Sequence, residues 1–385
     1  MNFDFTEEQR VFRDSARRFL HDSYTFEKRQ SIVHDDAPFC AETWRACADL
    51  GWLCLPFSEQ HGGLGGDILD TVILFEELGR QLVIEPFLET LILAGGVLRR
   101  CPVASTEGLL GALMEGQLQG AFAHGEIGQR NFNGVRYARA EESPQGYRLL
   151  GKKVVVHNAL AADVIIVSAS LGGGSELGLF LVRPGDTGVG LHGYPTIDGR
   201  AAGDITLNDV EVPTNRLLAR GPTAEIVLEQ VHGEALLALS ADMIGSMDTL
   251  IDRTIEYTKE RRQFGSRLVD FQVLRHRMVD MFVAKELATS LCYAAATKAR
   301  DGATDARRFA AAAKAKADKS AKLVAHAAIQ LHGGIATTDE LAIGHHLKRI
   351  TVHEQRFGST QDQLKAFRHL AGSDTALPSS IKKVA

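Results

Sequence analysis

Ile226, Val227, Val231, Leu239, Met243, Met247, Leu250, Ile251 and Ile255 recur at spacings of three and four residues. A stripe of that period is what one buried face of a long α-helix looks like. The pattern stops at Gly265, a residue suited to leaving a helix in a left-handed conformation. It restarts near Phe271, with Val273, Leu274, Met278, Met281 and Phe282 as the apolar side of a second helix. Arg261, Gln263 and Phe264 are therefore expected at a helix C-terminus, on a tight corner between two helices, with Gln272 opening the second. Such a corner offers a fork-shaped cation suited to a diphosphate, an aromatic face and an amide. It reads equally as a polar turn in a helical bundle.

A second stretch bears on that choice. Gln330-Leu331-His332-Gly333-Gly334 closes a helical run, Ala310 to Leu331, with a glycine pair, and glycines let a ligand approach the backbone closely. The rest of the chain excludes several classes. With 385 residues, 45% hydrophobic and 24% charged, it is long enough for two or three cores. No run approaches eighteen apolar residues, and the N-terminus lacks the basic flank and apolar region of a secretory signal, so no membrane span and a cytoplasmic setting are expected. A net charge of -5 gives no basic footprint for nucleic acid. Cys40, Cys47, Cys54, Cys101 and Cys292 include no Cys-x-x-Cys pair and read as apolar core thiols. His332, His345, His346 and His353 match no metal-binding spacing.

In chain order, Phe5 to about Arg100 has a helical period, opened by an N-cap and acidic residues at Thr6-Glu7-Glu8 and interrupted by the glycine-rich segment Leu50–Gly66. Short β-rich runs then follow at 120–123, 135–140, 147–150, 153–157, 164–169, 178–182 and 205–212, with turns at Gly146, Gly172-Gly173-Gly174 and Pro184-Gly185. From Pro222 to about Gly372 the pattern is helical again. The expected fold is multi-domain, α and β. It comprises an N-terminal helical domain (1–115), a middle antiparallel β-barrel or sandwich domain (116–220), a C-terminal helical bundle (221–375) and a tail (376–385).

Tyr257–Gln272 and Gln330–Gly334 together resemble the acyl-CoA dehydrogenase family, whose C-terminal bundle carries Arg-x-Gln-Phe-Gly…Phe-Gln and then Gln-x-x-Gly-Gly. The segments Leu50-Gly51-Trp52, Gly62–Gly66 and Glu76-Glu77-Leu78-Gly79-Arg80 are similar to the family's N-terminal domain. Ile329 to Ile350 is close to the small-subunit branch typified by pimeloyl-CoA dehydrogenase. The resemblance covers roughly Phe3 to Leu370 and implies three domains ending in a four-helix bundle, FAD as cofactor and an acyl-CoA thioester as substrate. It further implies an electron-transfer flavoprotein or similar acceptor, and a homo-oligomer or a heterotetramer with a larger related subunit.

Carried over residue by residue, the resemblance places FAD contacts at Arg261, Gln263, Phe264, Gln272, Gln330, Gly333, Gly334 and Thr360. In the β domain it places them at Phe122, Gly125, Val156 and His157. There Gly125 and Ile127 stand where the family has threonine and proline, and Val155-Val156-His157 replaces Trp-Ile-Thr or Trp-Ile-Ser. The usual base glutamate is absent, since its point falls on Arg356-Phe357-Gly358-Ser359-Thr360. The base position used by a minority of the family falls on Ala235, next to Glu234. Asp242 lies near the same face two turns on; as an unpaired acid among Leu239, Met243 and Ile244 it would be costly to bury and would carry a raised pKa, or it is exposed or paired. Glu234 and Asp242 are thus the candidate bases for an α,β-dehydrogenation. The alternative is a non-catalytic partner that completes the flavin site of a related dehydrogenase subunit.

Overall fold

The Thr6 hydroxyl accepts the Gln9 amide at 3.1 Å while the Gln9 side chain accepts the Thr6 amide at 3.2 Å, a reciprocal cap that starts the first helix. In the computed structural model, which describes residues 5–35, 37–103, 106, 108–129, 132 and 136–373, this cap opens α1 (Glu7–Ser23). There follow α2 (Phe26–His34), α3 (Ala41–Asp49), α4 (Ile68–Arg80), a π-helical segment Leu88–Ala94, α5 (Gly95–Leu98) and α6 (Leu109–Met114). The strands are β1 (Gly120–Ala123), β2 (Arg139–Ser143), β3 (Gly146–His157), β4 (Val164–Leu171), β5 (Leu177–Val182), β6 (Val189–Pro195), β7 (Ala201–Pro213) and β8 (Leu217–Arg220). The 40-residue α7 (Gly221–Glu260) leads to a small hairpin, β9 (Arg262–Gln263) and β10 (Ser266–Arg267). Then come α8 (Gln272–Arg300), α9 (Ala306–His332), α10 (Ala342–Gln355) and α11 (Thr360–Ser373). Val135 and the 376–385 tail lie outside the described residues.

Contacts group the chain into two compact units, one from Met1–His21, Val72–Leu82 and Leu236–Ala385, the other from Asp22–Thr71 and Val83–Ala235. In the second, the strands form one sheet in the order β6-β7-β3-β2-β4-β5-β8, with β1 paired to β4. Most pairings are antiparallel, but β1 and β2 both run parallel to β4, where the sequence pattern suggests a wholly antiparallel domain. Strands β4 and β5 are buried along their length. The core includes Ile165, Val167, Phe180, Val182, Ile205 and Leu207. Runs expected as two strands, 147–150 and 153–157, are one strand, because bulges at Leu149/Gly151 and Lys153/Val156 absorb the break in alternation. Strand β6 pairs only with β7 at the sheet edge and is largely exposed. It therefore lacks the alternation that would reveal it.

The other unit is helical. Alanines of α9, among them Ala313, Ala317, Ala321 and Ala328, are buried against its neighbours, and such small side chains let helix axes approach. Helices α4 and α7 approach backbone to backbone. A Cβ on Gly245 would lie 1.8 Å from the Glu76 carbonyl oxygen, and one on Gly79 would lie 2.0 Å from that of Asp242. Met278 and Met281 of α8 are buried as expected, but Val273 and Phe282 are exposed, so the predicted apolar side of this helix is only partly internal.

Two glycines of α7 give opposite expectations. Gly245→Ala forces backbone apart and costs about 1–3 kcal/mol. At Gly233 an added Cβ meets nothing within 4 Å, so Gly233→Ala gains roughly 0.5–1 kcal/mol of helix propensity. Urea unfolding of the two variants should move the midpoint in opposite directions.

Candidate functional site

The corner differs from the helix C-terminus expected of it. Helix α7 ends at Glu260, and Arg261–Arg267 turn back as a hairpin in which Gln263 pairs with Ser266 and Arg262 with Arg267. Its two-residue loop, Phe264 and Gly265, has φ of 55° and 80°, as a type I′ turn requires. Arg267 is held by Asp270 at 3.0 Å, whereas Arg261 has no ion pair among the described residues. Phe264 is 91% exposed, and Gln272 is exposed at the start of α8.

One turn before Arg261, the Tyr257 hydroxyl donates to the His332 carbonyl at 3.2 Å and its ring stacks on His332, centroids 4.4 Å apart. That contact ties the end of α7 to the end of α9, where Gln330, Gly333 and Gly334 are exposed. A Cβ on either glycine would meet nothing within 4 Å, so the backbone there is open to approach. The two stretches singled out in the sequence thus share one end of the helical unit. Thr360 does not join them: it is buried and its hydroxyl donates to Asp318 at 3.3 Å, beside the buried Lys314–Asp318 pair.

Asp242 is buried between two bases. Arg349 Nε and Nη2 donate to its two carboxylate oxygens at 3.1 and 2.5 Å, and His353 Nε2 lies 3.1 Å away. The expected raised pKa is therefore wrong. Burial alone pushes the carboxyl up, but the charges and hydrogen bonds of Arg349 and His353 outweigh it and hold Asp242 well below the usual carboxylate range. A base so depressed has little proton affinity at neutral pH. No carboxylate stands in 356–360; Phe357 and Gly358, with φ of 60° and 100°, form the turn into α11, and Asp362 accepts the Ser359 hydroxyl at 2.7 Å. In the sheet-containing unit, Glu234 is clamped by Arg99 Nη2 at 2.7 Å and by Arg100 Nη2 at 2.5 Å.

The other sequence-singled residues lie in that unit. Phe122 is buried and stacked on His124, and Val156 points into the core. Gly125 is exposed at the loop after β1 and accepts the Val154 amide at 2.9 Å. Val155 is 54% exposed with φ of 52°, unusual for a β-branched residue. Its amide faces Tyr194 Oη at 3.1 Å and Asp204 Oδ1 at 3.3 Å. His157 lines a small, partly open cavity, about large enough for a single water, with Glu89, Asn158 and Arg200. Sequence reading missed this cavity, the Glu234 clamp and the buried Glu126–Lys153 pair, because none of them has a local signature.

The description "Acyl-CoA dehydrogenase, N-terminal domain" matches residues 6–98, and "Acyl-CoA dehydrogenase, C-terminal domain" matches residues 225–367. The chain belongs to the acyl-CoA dehydrogenase family. A short-chain-specific acyl-CoA dehydrogenase of Clostridium acetobutylicum is 25% identical over 376 residues, covering 94% of this chain and 97% of the relative. Among solved structures, the FAD complex of PigA superposes with a TM-score of 0.90 at 26% identity, covering 97% and 99% of the two chains. The ChsE4-ChsE5 complex from Mycobacterium tuberculosis gives 0.88 at 25% identity, covering 98% and 100%.

Asp242→Asn leaves Arg349 buried without its counter-charge and should cost about 3–5 kcal/mol. Because the folded carboxyl sits below its unfolded value of about 3.9, the unfolded state binds more protons at low pH. The pair's contribution is therefore full above that value and is lost as pH falls below it. Urea unfolding at neutral pH and near pH 3 should show wild type losing more stability on acidification than Asp242→Asn.

Proposed function

We propose that this protein is an FAD-dependent oxidoreductase acting on the CH–CH bond beside the carbonyl of an acyl-CoA thioester. What carries the reading is the Tyr257–His332 contact, which gathers Arg261, Gln263, Phe264, Gln330, Gly333 and Gly334 at one exposed end of the helical unit. Arg261 suits a diphosphate, Phe264 offers a ring face, and the open glycine pair lets a dinucleotide reach the backbone. In the other unit Gly125 and Val155, both exposed, lie in the stretches where the family contacts the flavin ring. FAD, when bound, supplies the hydride acceptor. Phe264 and the apolar residues Val279, Phe282, Val283 and Leu287 of α8 are exposed. A contiguous exposed apolar helix face of this kind supports association with another subunit, and the dinucleotide is read as shared across that contact.

This assignment divides the chain into 1–115, 116–220 and 221–375, and takes a cytoplasmic setting with an electron-transfer flavoprotein or similar acceptor. Among the described residues no helix is long and apolar enough to cross a membrane.

A second reading is favoured by a specific observation. Both candidate bases are committed to arginines, Glu234 to Arg99 and Arg100, Asp242 to Arg349. A well-placed base contributes roughly a hundred- to ten-thousandfold. A chain without one would serve as the non-catalytic partner of a related, larger subunit, lending its Arg261 corner to that subunit's flavin. The small-subunit likeness in Ile329–Ile350 points the same way.

The chain purified alone and titrated with FAD separates the two readings. The first expects a flavin spectrum approaching one per subunit and reduction by an acyl-CoA. The second expects no retained flavin until a related dehydrogenase subunit is added. Under either, Arg261→Ala should weaken FAD binding in the competent assembly by about 1.5–3 kcal/mol, the worth of a hydrogen bond to a charged group. An unchanged affinity would remove the corner from the flavin site.

A further inference from the structure

Lys153 is fully buried in the sheet-containing unit, and each of its three ammonium protons has an acceptor: Glu126 Oε1 at 2.5 Å, the His124 carbonyl at 3.3 Å and Ser168 Oγ at 3.3 Å. Glu126 is buried too, and its other oxygen accepts the Tyr137 amide at 2.5 Å and the Ala138 amide at 3.2 Å. Burial pushes His124 down to about 3, so its ring is neutral at pH 7. With Nε2 2.5 Å from the Phe132 carbonyl, Nε2 carries the proton and Nδ1 accepts from Ser168 at 2.8 Å.

Around this closed network lie the two stretches that replace the family's flavin-facing motifs. Gly125 sits between His124 and Glu126, whose carbonyl and carboxylate hold Lys153. Lys153 itself lies on β3 at the start of the bulge that turns Val155 outward with φ of 52°. The Gly125 carbonyl accepts the Val154 amide at 2.9 Å, and Tyr194 and Asp204 hold the Val155 amide from the far side.

We propose that Lys153 and Glu126 are positioning residues for the flavin: their ion pair fixes the Gly125 loop against β3 and so presets the backbone groups that face the isoalloxazine ring. The inference rests on the FAD reading above. Because neither side chain reaches the surface, the pair acts through the geometry of Gly125 and Val155. A carboxylate left buried without its cation pulls away toward water, taking that loop with it.

The test is FAD titration of the oligomer in its flavin-competent form, followed by flavin absorbance and fluorescence, for wild type, Lys153→Met, Lys153→Arg, Glu126→Gln and Lys314→Met. Lys314→Met breaks a buried ion pair of the same kind, with Asp318, in the helical unit, and it reports general loss of stability. Lys153→Met is expected to raise the FAD dissociation constant roughly tenfold or more and to shift the visible flavin band. Glu126→Gln should move both in the same direction, and its similar shape keeps the test available if Lys153→Met does not fold. Lys153→Arg restores the cation and most of the affinity, while Lys314→Met binds as wild type. Wild-type affinity and spectrum in both Lys153→Met and Glu126→Gln, or equal loss in Lys314→Met, overturns the positioning role alone. A wild-type protein that takes up no FAD in any assembly overturns the FAD reading and this inference with it.

Discussion

Helices α4 and α7 touch backbone to backbone, and much of the helical unit follows from that contact. Only glycine at 79 and 245 permits it, since a Cβ at either place would overlap a carbonyl oxygen of the facing helix. Asp242 is the residue whose carbonyl Gly79 approaches, and its side chain is buried as well. A carboxylate so buried demands a counter-charge. Arg349 supplies it in a two-pronged geometry, with His353 one helical turn further along α10. Two missing side chains thus permit the pairing of α7 with α4, and beside it a buried ion pair binds α10 to α7.

Most of the element order was legible because it is written in periods. The stripe from Ile226 to Ile255 announced α7, and the alternating runs announced most of the sheet. What escaped was set by geometry that periodicity does not carry. The end of α7 was read at Gly265, because glycine commonly closes helices. In fact the helix ends at Glu260, and the glycine is half of a two-residue hairpin turn whose other half, Phe264, takes a left-handed conformation that its side chain does not advertise. Strand β6 lies at a sheet edge and has no fully buried residue, so no alternation marks it. The raised pKa expected for Asp242 followed from burial considered alone, and Arg349 is 107 residues away in sequence.

The candidate site divides the same way. Arg261, Gln263, Phe264, Gln330, Gly333 and Gly334 could be named because they sit in contiguous stretches. That they meet depends on Tyr257 and His332, 75 residues apart, which no local pattern joins. Lys153 and Glu126 were invisible for a related reason: each looks like an ordinary charged residue in a polar loop or an alternating strand, and only the folded sheet puts both out of water.

The two acidic candidates on α7 show how the same residue type is disarmed by different environments. Glu234 is only part-buried and answers two arginines, neighbours in sequence at the end of α5. Asp242 is wholly buried and answers one arginine bidentately. Proton abstraction needs a carboxylate with an open lone pair and a proton affinity near that of its surroundings at working pH. Glu234 has its oxygens occupied, and Asp242 is held in its charged form by Arg349. Freeing either would leave two cations or one buried cation without its carboxylate, a cost the fold meets only by rearranging. The arginines therefore do more than fill space near α7: they commit both acids to ion pairs that hold the fold together.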